Sequence, residues 1–294
     1  MSTITEYSSE DVRACLTILL ELLTYLKSYQ EHIVLIGGWV PYFLTQGDSG
    51  ESPHRGSLDI DLALDPASIP PHAYETILKI FGERAYEPKR DAKGVIVPAS
   101  YVRKFTDANG HEHAIQVDLL SPEYGGTSPS HRHQSVQDIL ARKGRAVDLA
   151  FTSPVKRNLE GSLPNKAKNS VTLRIANGVA CFTMKAITFR MRGKEKDAYD
   201  LYMLLKNYSS GIGAIVSELR QNRHNGLVRE GLEAAQESFR SIDSMGPVAV
   251  ANFLELPDGE EKDIVMRDVF EMINHVVNSL AIGISRPDPG KVFE

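Results

Sequence analysis

Two aspartates two residues apart, in the segment Leu58-Asp59-Ile60-Asp61, are the first feature of this sequence that could do chemistry. On a β-strand such a pair projects from a single face. Unpaired carboxylates side by side repel each other, and each resists burial as an anion. A hard divalent cation relieves both costs; magnesium takes one or two carboxylates together with phosphate oxygens and water. A third acid, Asp118, interrupts the apolar run Ile115-Gln116-Val117-Asp118-Leu119-Leu120. Asp59, Asp61 and Asp118 on neighbouring strands would form a metal-ligand set able to hold two cations for an in-line phosphoryl displacement. Alone, Asp-x-Asp on a half-exposed strand is more often a solvated face. The pair Gly37-Gly38, placed upstream between a strand and a helix, moves the balance towards phosphate chemistry. Glycines there let backbone N–H groups approach a phosphate chain.

A second cluster follows later in the chain. Lys185 interrupts the apolar set Phe182, Ala186, Ile187 and Phe189, which favours a phosphate contact. A lysine beside a triphosphate neutralises charge that grows as pyrophosphate leaves. Beyond a turn at Gly193 come Lys196, Asp197 and Asp200, the two aspartates sharing one helix face. Asp197 reads as a further functional carboxylate. Asp200 reads equally as chemistry or as a structural ion pair with Arg190 or Lys196.

The elements that must position these groups follow from periodicity. Residues 9–30 show helical spacing behind a serine cap. The run HIVLIGG is a buried strand ended by glycines, WVPYFLTQ a short helix, and SLDIDLAL an alternating strand. A helix is expected from about Pro71 to Arg84, and strands at 95–105, 113–120, AVDLAFT and SVTLRIA. Residues 46–57 and the segment SPEYGGTSPSHRHQS read as loops, and the tail ISRPDPGKVFE as an extended terminus. From Cys181 the pattern is helical, two helices and then three or four more to Leu280. The fold expected is α/β: a mixed sheet with flanking helices in residues 1–178, then a helical domain in 179–294.

Composition bounds the class. Apolar and charged fractions are those of a globular chain, and no apolar run approaches the roughly 20 residues of a membrane helix. The start lacks the basic and apolar regions of a secretory leader, and Cys15 and Cys181 sit in apolar helical patterns as buried thiols. A cytoplasmic protein with no membrane partner is expected. Net charge is −5, so the whole surface does not advertise nucleic acid. Between Lys156 and Lys196, however, basic residues gather against Glu160 and Glu195 alone. The His-x-His pairs His111/His113 and His131/His133 have no cysteine nearby and read as solvated loop residues. Trp39 and Tyr42 read as core.

Strand, Gly37-Gly38, helix, Asp59-x-Asp61 and a distant strand Asp118, in that order, resemble the polymerase-β-like minimal nucleotidyltransferases. Lys185 followed by Lys196-Asp197-Ala198-Tyr199-Asp200-Leu201-Tyr202 is similar to the narrower signature of the AbiEii toxin family of type IV toxin–antitoxin systems. The resemblance runs over about residues 30–210. Trp39 stands where a small residue is commoner, and Arg55 and Ser57 stand only approximately for the usual Ser, Thr or Arg before Asp-x-Asp. The resemblance implies transfer of a nucleoside monophosphate from an NTP to a hydroxyl, with magnesium or manganese on the three aspartates. Gly37, Gly38, Ser57, Lys185 and Lys196 would hold the nucleotide. It further implies a tRNA or other RNA acceptor and a cognate antitoxin as partner. Nucleotidyl transfer to a small molecule or a protein side chain, or a non-catalytic binding role on the same fold, are the alternatives.

Overall fold

The computed structural model describes residues 3–47, 52–65, 71–107, 109–123, 133–136 and 139–280. The terminal tail, His131 and part of each predicted loop lie outside them. Helix α1 (Ser9–Tyr25) starts where the Ser8 hydroxyl accepts the Asp11 N–H, and Glu10 and Asp11 suit its positive end. Its apolar stripe, including Cys15, Ile18, Leu19 and Leu22, is fully buried, each large side chain worth about 1.5–3 kcal/mol. The helix is shorter than its periodicity predicts, because a 3₁₀ turn takes over at Lys27–His32.

Strand β1 (Ile33–Ile36) is buried at every position and pairs antiparallel with β2 (Asp59–Leu64), the short helix α2 (Trp39–Leu44) lying between them in sequence. After α3 (Pro71–Glu83) come β3 (Tyr86–Arg90), β4 (Ile96–Thr106) and β5 (Glu112–Pro122). Strands β6 (His133–Val136) and β7 (Ile139–Gly144) form a hairpin attached to β5, and β8 (Val155–Ser162) pairs with β9 (Lys168–Ile175). The main order is β3-β4-β5-β2-β1-β9-β8, with β2–β5 and β1–β9 parallel and the other neighbours antiparallel. The expected mixed sheet is therefore present. Arg103 of β4 reaches Glu21 of α1 at 3.1 Å, so α1 covers the sheet face opposite Gln116 and Asp118.

Helix α4 (Gly178–Arg192) is capped by Asn177, whose side chain accepts the Ala180 N–H, and is stopped by Gly193 at φ +63. Helices α5 (Glu195–Lys206), α6 (Ile212–Gln221), α7 (Gly226–Ser238), α8 (Met245–Phe253) and α9 (Glu260–Leu280) complete the helical part. One buried apolar cluster runs from Val12 through the sheet to Val277. No described helix is long and apolar enough to cross a membrane.

Several expectations need correction. AVDLAFT is a 3₁₀ turn over Val147–Phe151, not a strand: Ala146 sits at φ +63 and its carbonyl accepts the Leu149 N–H. Its apolar residues are buried by a turn as well as they would be by alternation. Strands β3 and β8 were not anticipated, since edge strands carry charge and, at Pro88, a residue barred from sheet interiors. His113 is not a solvated loop residue. It lies on β5 with Ile115 and Val117, is 8% exposed, stacks on Phe105 and faces Asp11 and Asp107. Cys15, Cys181 and Trp39 are buried as expected, and both cysteines are free.

Candidate active site

The parallel register of β2 and β5 sets Asp61 directly beside Asp118 and Asp59 beside Gln116. Alternation keeps Asp59, Asp61 and Asp118 on one face. Burial, then the charges of Asp59 and Asp118, push the Asp61 acid up to about 8, with Lys185 and Arg192 pulling the other way. The three carboxylates are thus crowded with negative charge that the protein itself does not fully balance. That donor set fits a hard divalent cation. Neutral donors orient Asp118: Gln116 Nε2 donates to both its oxygens at 2.9 and 2.8 Å, and the Ser100 hydroxyl donates to Oδ1. Lys89 donates in turn to Gln116 Oε1.

Gly37 turns the chain from β1 into α2 at φ +74, and a Cβ there would lie 2.0 Å from Asp61 Oδ2. Only glycine allows both that angle and that approach. Gly38 has an ordinary backbone angle but lies against Ser57, whose Oγ a Cβ would meet at 2.7 Å. The Ser57 hydroxyl donates to Asp59 Oδ1 at 2.6 Å. The glycine pair and the strand carboxylates are therefore in direct contact.

Opposite them stands a cluster on α4 and α5. Lys185 Nζ lies 2.9 Å from Asp197 Oδ1 and 2.5 Å from Asp200 Oδ2. Arg192 forks onto Asp197 at 2.8 and 3.0 Å, and Lys196 pairs with Asp200 Oδ1. Lys196 Nζ also lies over the rings of Tyr7, Tyr199 and Phe253, and 3.6 Å from where a Gly38 Cβ would be. Both lysine ammoniums, expected on a triphosphate, are buried and held by aspartates. Three cations against two anions leave a surplus positive charge beside the three strand carboxylates. Burial opposes every charge in the cluster, yet the lysine and arginine partners hold Asp197 and Asp200 below the usual carboxylate range, and Asp197 and Asp200 hold Lys185 above its own. Of the two partners expected for Asp200, Lys196 is the one found; Arg190 pairs with Glu230 and Glu237.

Sequence reasoning missed four contributors. Gln116 was readable, being two residues before Asp118 on its strand face. Arg192 carried a weaker signal as the last residue of a helix leading into Asp197. Ser100 and His54 carried none. His54, from the polar loop, is fully enclosed with Nε2 2.8 Å from Asp200 Oδ1. A separate group, Asp107 and His111 from the β4–β5 turn with Glu10 of α1, brings potential ligand atoms within 4.8 Å of one another. It lies at the far end of β5 from Asp118, on the order of 20 Å along the strand, and does not belong to this site.

The model of the family described as "Nucleotidyl transferase AbiEii toxin, Type IV TA system" matches residues 22–281. The chain belongs to the AbiEii family. It is accordingly a nucleotidyltransferase, and its match extends through α6–α9, well past the residues whose motifs suggested it. No curated protein matches this AbiEii-family chain. Among solved structures it is similar to an antigenic nucleotidyltransferase-like protein from Paracoccidioides brasiliensis, at 17% identity and a TM-score of 0.38, over 77% of this chain and 94% of that one.

Proposed function

We propose that the chain moves a nucleoside monophosphate from an NTP to a hydroxyl of an RNA acceptor, acting as the toxin of a toxin–antitoxin pair. The observation that carries this reading is the register that sets Asp61 beside Asp118, with Asp59 on the same face and the Lys185–Asp197–Asp200–Lys196 cluster opposite. Asp59, Asp61 and Asp118 would hold magnesium or manganese, which when bound neutralises phosphate charge and lowers the pKa of the acceptor hydroxyl. The acceptor oxygen forms a bond to the α-phosphorus as the bond to the β-phosphate oxygen breaks, and pyrophosphate leaves with the electron pair. Asp118, aligned by Gln116 and Ser100, takes the hydroxyl proton. Gly37 and Gly38 let the triphosphate approach the backbone, Ser57 fixes Asp59, and the surplus positive charge that Lys185, Lys196 and Arg192 provide offsets charge on the leaving group. The basic stretch from Lys156 to Lys196 supports a polyanionic acceptor, and the family description supports a cognate antitoxin.

The test is incubation with magnesium and each labelled NTP, alone and with total tRNA. Label is expected in RNA, falling at least about 100-fold in Asp61→Ala, the loss typical of removing a group that stabilises the transition state. Label on protein, or none with any acceptor, would exclude RNA transfer.

A further inference from the structure

We propose that His54 is a positioning residue that ties the loop leading into β2, and with it Ser57 and Asp59, to Asp200 on α5. The inference rests on the transfer reaction proposed above. It concerns a loop that separates the glycine pair from the carboxylates and that would otherwise be a passive connection. His54 is closed off from solvent, and both ring nitrogens are used. Nδ1 accepts the Gly56 N–H at 3.0 Å, so the hydrogen sits on Nε2, which donates to Asp200 Oδ1 at 2.8 Å. The ring lies against Tyr199 with centroids 5.2 Å apart, and the Tyr199 hydroxyl accepts the Arg55 N–H at 3.3 Å. The upstream end of the loop is fixed too: the His54 N–H donates to Ser52 Oγ, and that hydroxyl pairs with Thr45 at the end of α2.

Asp200 is the hub that makes this tie matter. It holds Lys185 on one oxygen, and Lys196 and His54 on the other. Immediately after Gly56, Ser57 touches Gly38 and donates to Asp59. A shift of the imidazole would therefore move the strand carboxylates relative to the helix cations, and a misplacement of about 1 Å costs on the order of 100-fold in rate. Burial, then the Lys196 charge, depress the His54 pKa to about 4, so Asp200 receives a neutral donor whose charge does not change near neutrality.

Two near-isosteres separate the two hydrogen bonds. Glutamine places an amide N–H near the Nε2 position and keeps the tie to Asp200. Asparagine places an acceptor near Nδ1, keeping the Gly56 bond and losing the tie. In the full-length protein, His54→Gln should retain kcat within about threefold. His54→Asn should lose about 10- to 100-fold in kcat, with a smaller change in KM for the NTP, and Tm should stay within about 3 °C of wild type in both. Hydrogen exchange of the peptide spanning 52–58 should quicken in His54→Asn alone. Equal losses in the two variants, a loss confined to His54→Gln, or an unimpaired His54→Asn would overturn the proposal. A wild-type protein that labels nothing rejects the transfer reading itself, and is told apart because exchange does not depend on turnover.

Discussion

Gly37 stands at φ +74 with Asp61 Oδ2 2.0 Å from where a Cβ would be, whereas Gly38 has an ordinary φ and faces a serine hydroxyl that can rotate. The two glycines should therefore respond differently to the same substitution. Gly37→Ala should cost about 1–2 kcal/mol from the left-handed backbone alone and should displace Asp61 as well. The expected outcome is a lower urea midpoint together with a transfer rate down by at least about tenfold. Gly38→Ala should lower the urea midpoint much less, while still slowing transfer because its Cβ crowds the Ser57 hydroxyl that fixes Asp59; an equal loss of stability would mean that Asp61 is not seated against the turn. The crowding of three carboxylates makes a second prediction. Magnesium at about 100 times its Kd should stabilise the wild type by about 2.7 kcal/mol, seen as a rise in Tm, and should leave Asp61→Asn unmoved. A similar rise in the variant would place the cation elsewhere, for instance on the Glu10, Asp107 and His111 group.

The α4–Gly193–α5 hairpin acts as a unit, because Lys185 and Arg192 on one helix are bound by Asp197 and Asp200 on the other. Asp197 is 1% exposed, and removing its charge leaves Lys185 and Arg192 under-compensated. Breaking such a buried pair costs about 3–5 kcal/mol. Asp197 and Asp200 both have folded pKa values below the ordinary one. Their contribution is therefore present above the unfolded carboxylate pKa of about 3.9 and is lost as pH falls through the depressed folded values. Urea titrations should show wild-type stability dropping below about pH 4, with a shallower drop in Asp197→Asn; parallel curves would refute the assignment. This hairpin was legible in the sequence, since a lysine breaking an apolar stripe, a glycine stop and an Asp-x-x-Asp spacing each leave a local mark. So were β1, β2 and β5, where burial writes itself as periodicity. Edge strands β3 and β8 were not, because one exposed face and many charges look like loop. His54 was not legible for a different reason: its partner is far along the chain, and nothing within the polar loop marks it.

The site is divided between the two halves of the molecule, with carboxylates on the sheet and cations on the helices. The apolar core is not so divided: Trp39 and Phe43 beside the sheet, Phe182 and Phe189 on α4, and Val276 on α9 belong to one buried cluster. A boundary at residues 178/179 falls at the first turn of α4, which packs onto α2 and the 3₁₀ turn Val147–Phe151 as well as onto α5 and α7. Cutting there would expose apolar surface on both pieces, and His54–Asp200 and the Gly38–Lys196 approach would be lost together. Two domains with separate cores would unfold in two steps, whereas one shared core should give a single transition. The full chain is therefore expected to show coincident thermal transitions by far-UV circular dichroism and by Trp39 fluorescence, with calorimetric and van't Hoff enthalpies equal. The fragment 1–178 alone should lack the sharp near-UV signal of a packed core. An early transition of the helical part that leaves Trp39 fluorescence unchanged would show that the sheet, with its three aspartates, folds without the helices, and that the cation cluster docks onto a preformed carboxylate face.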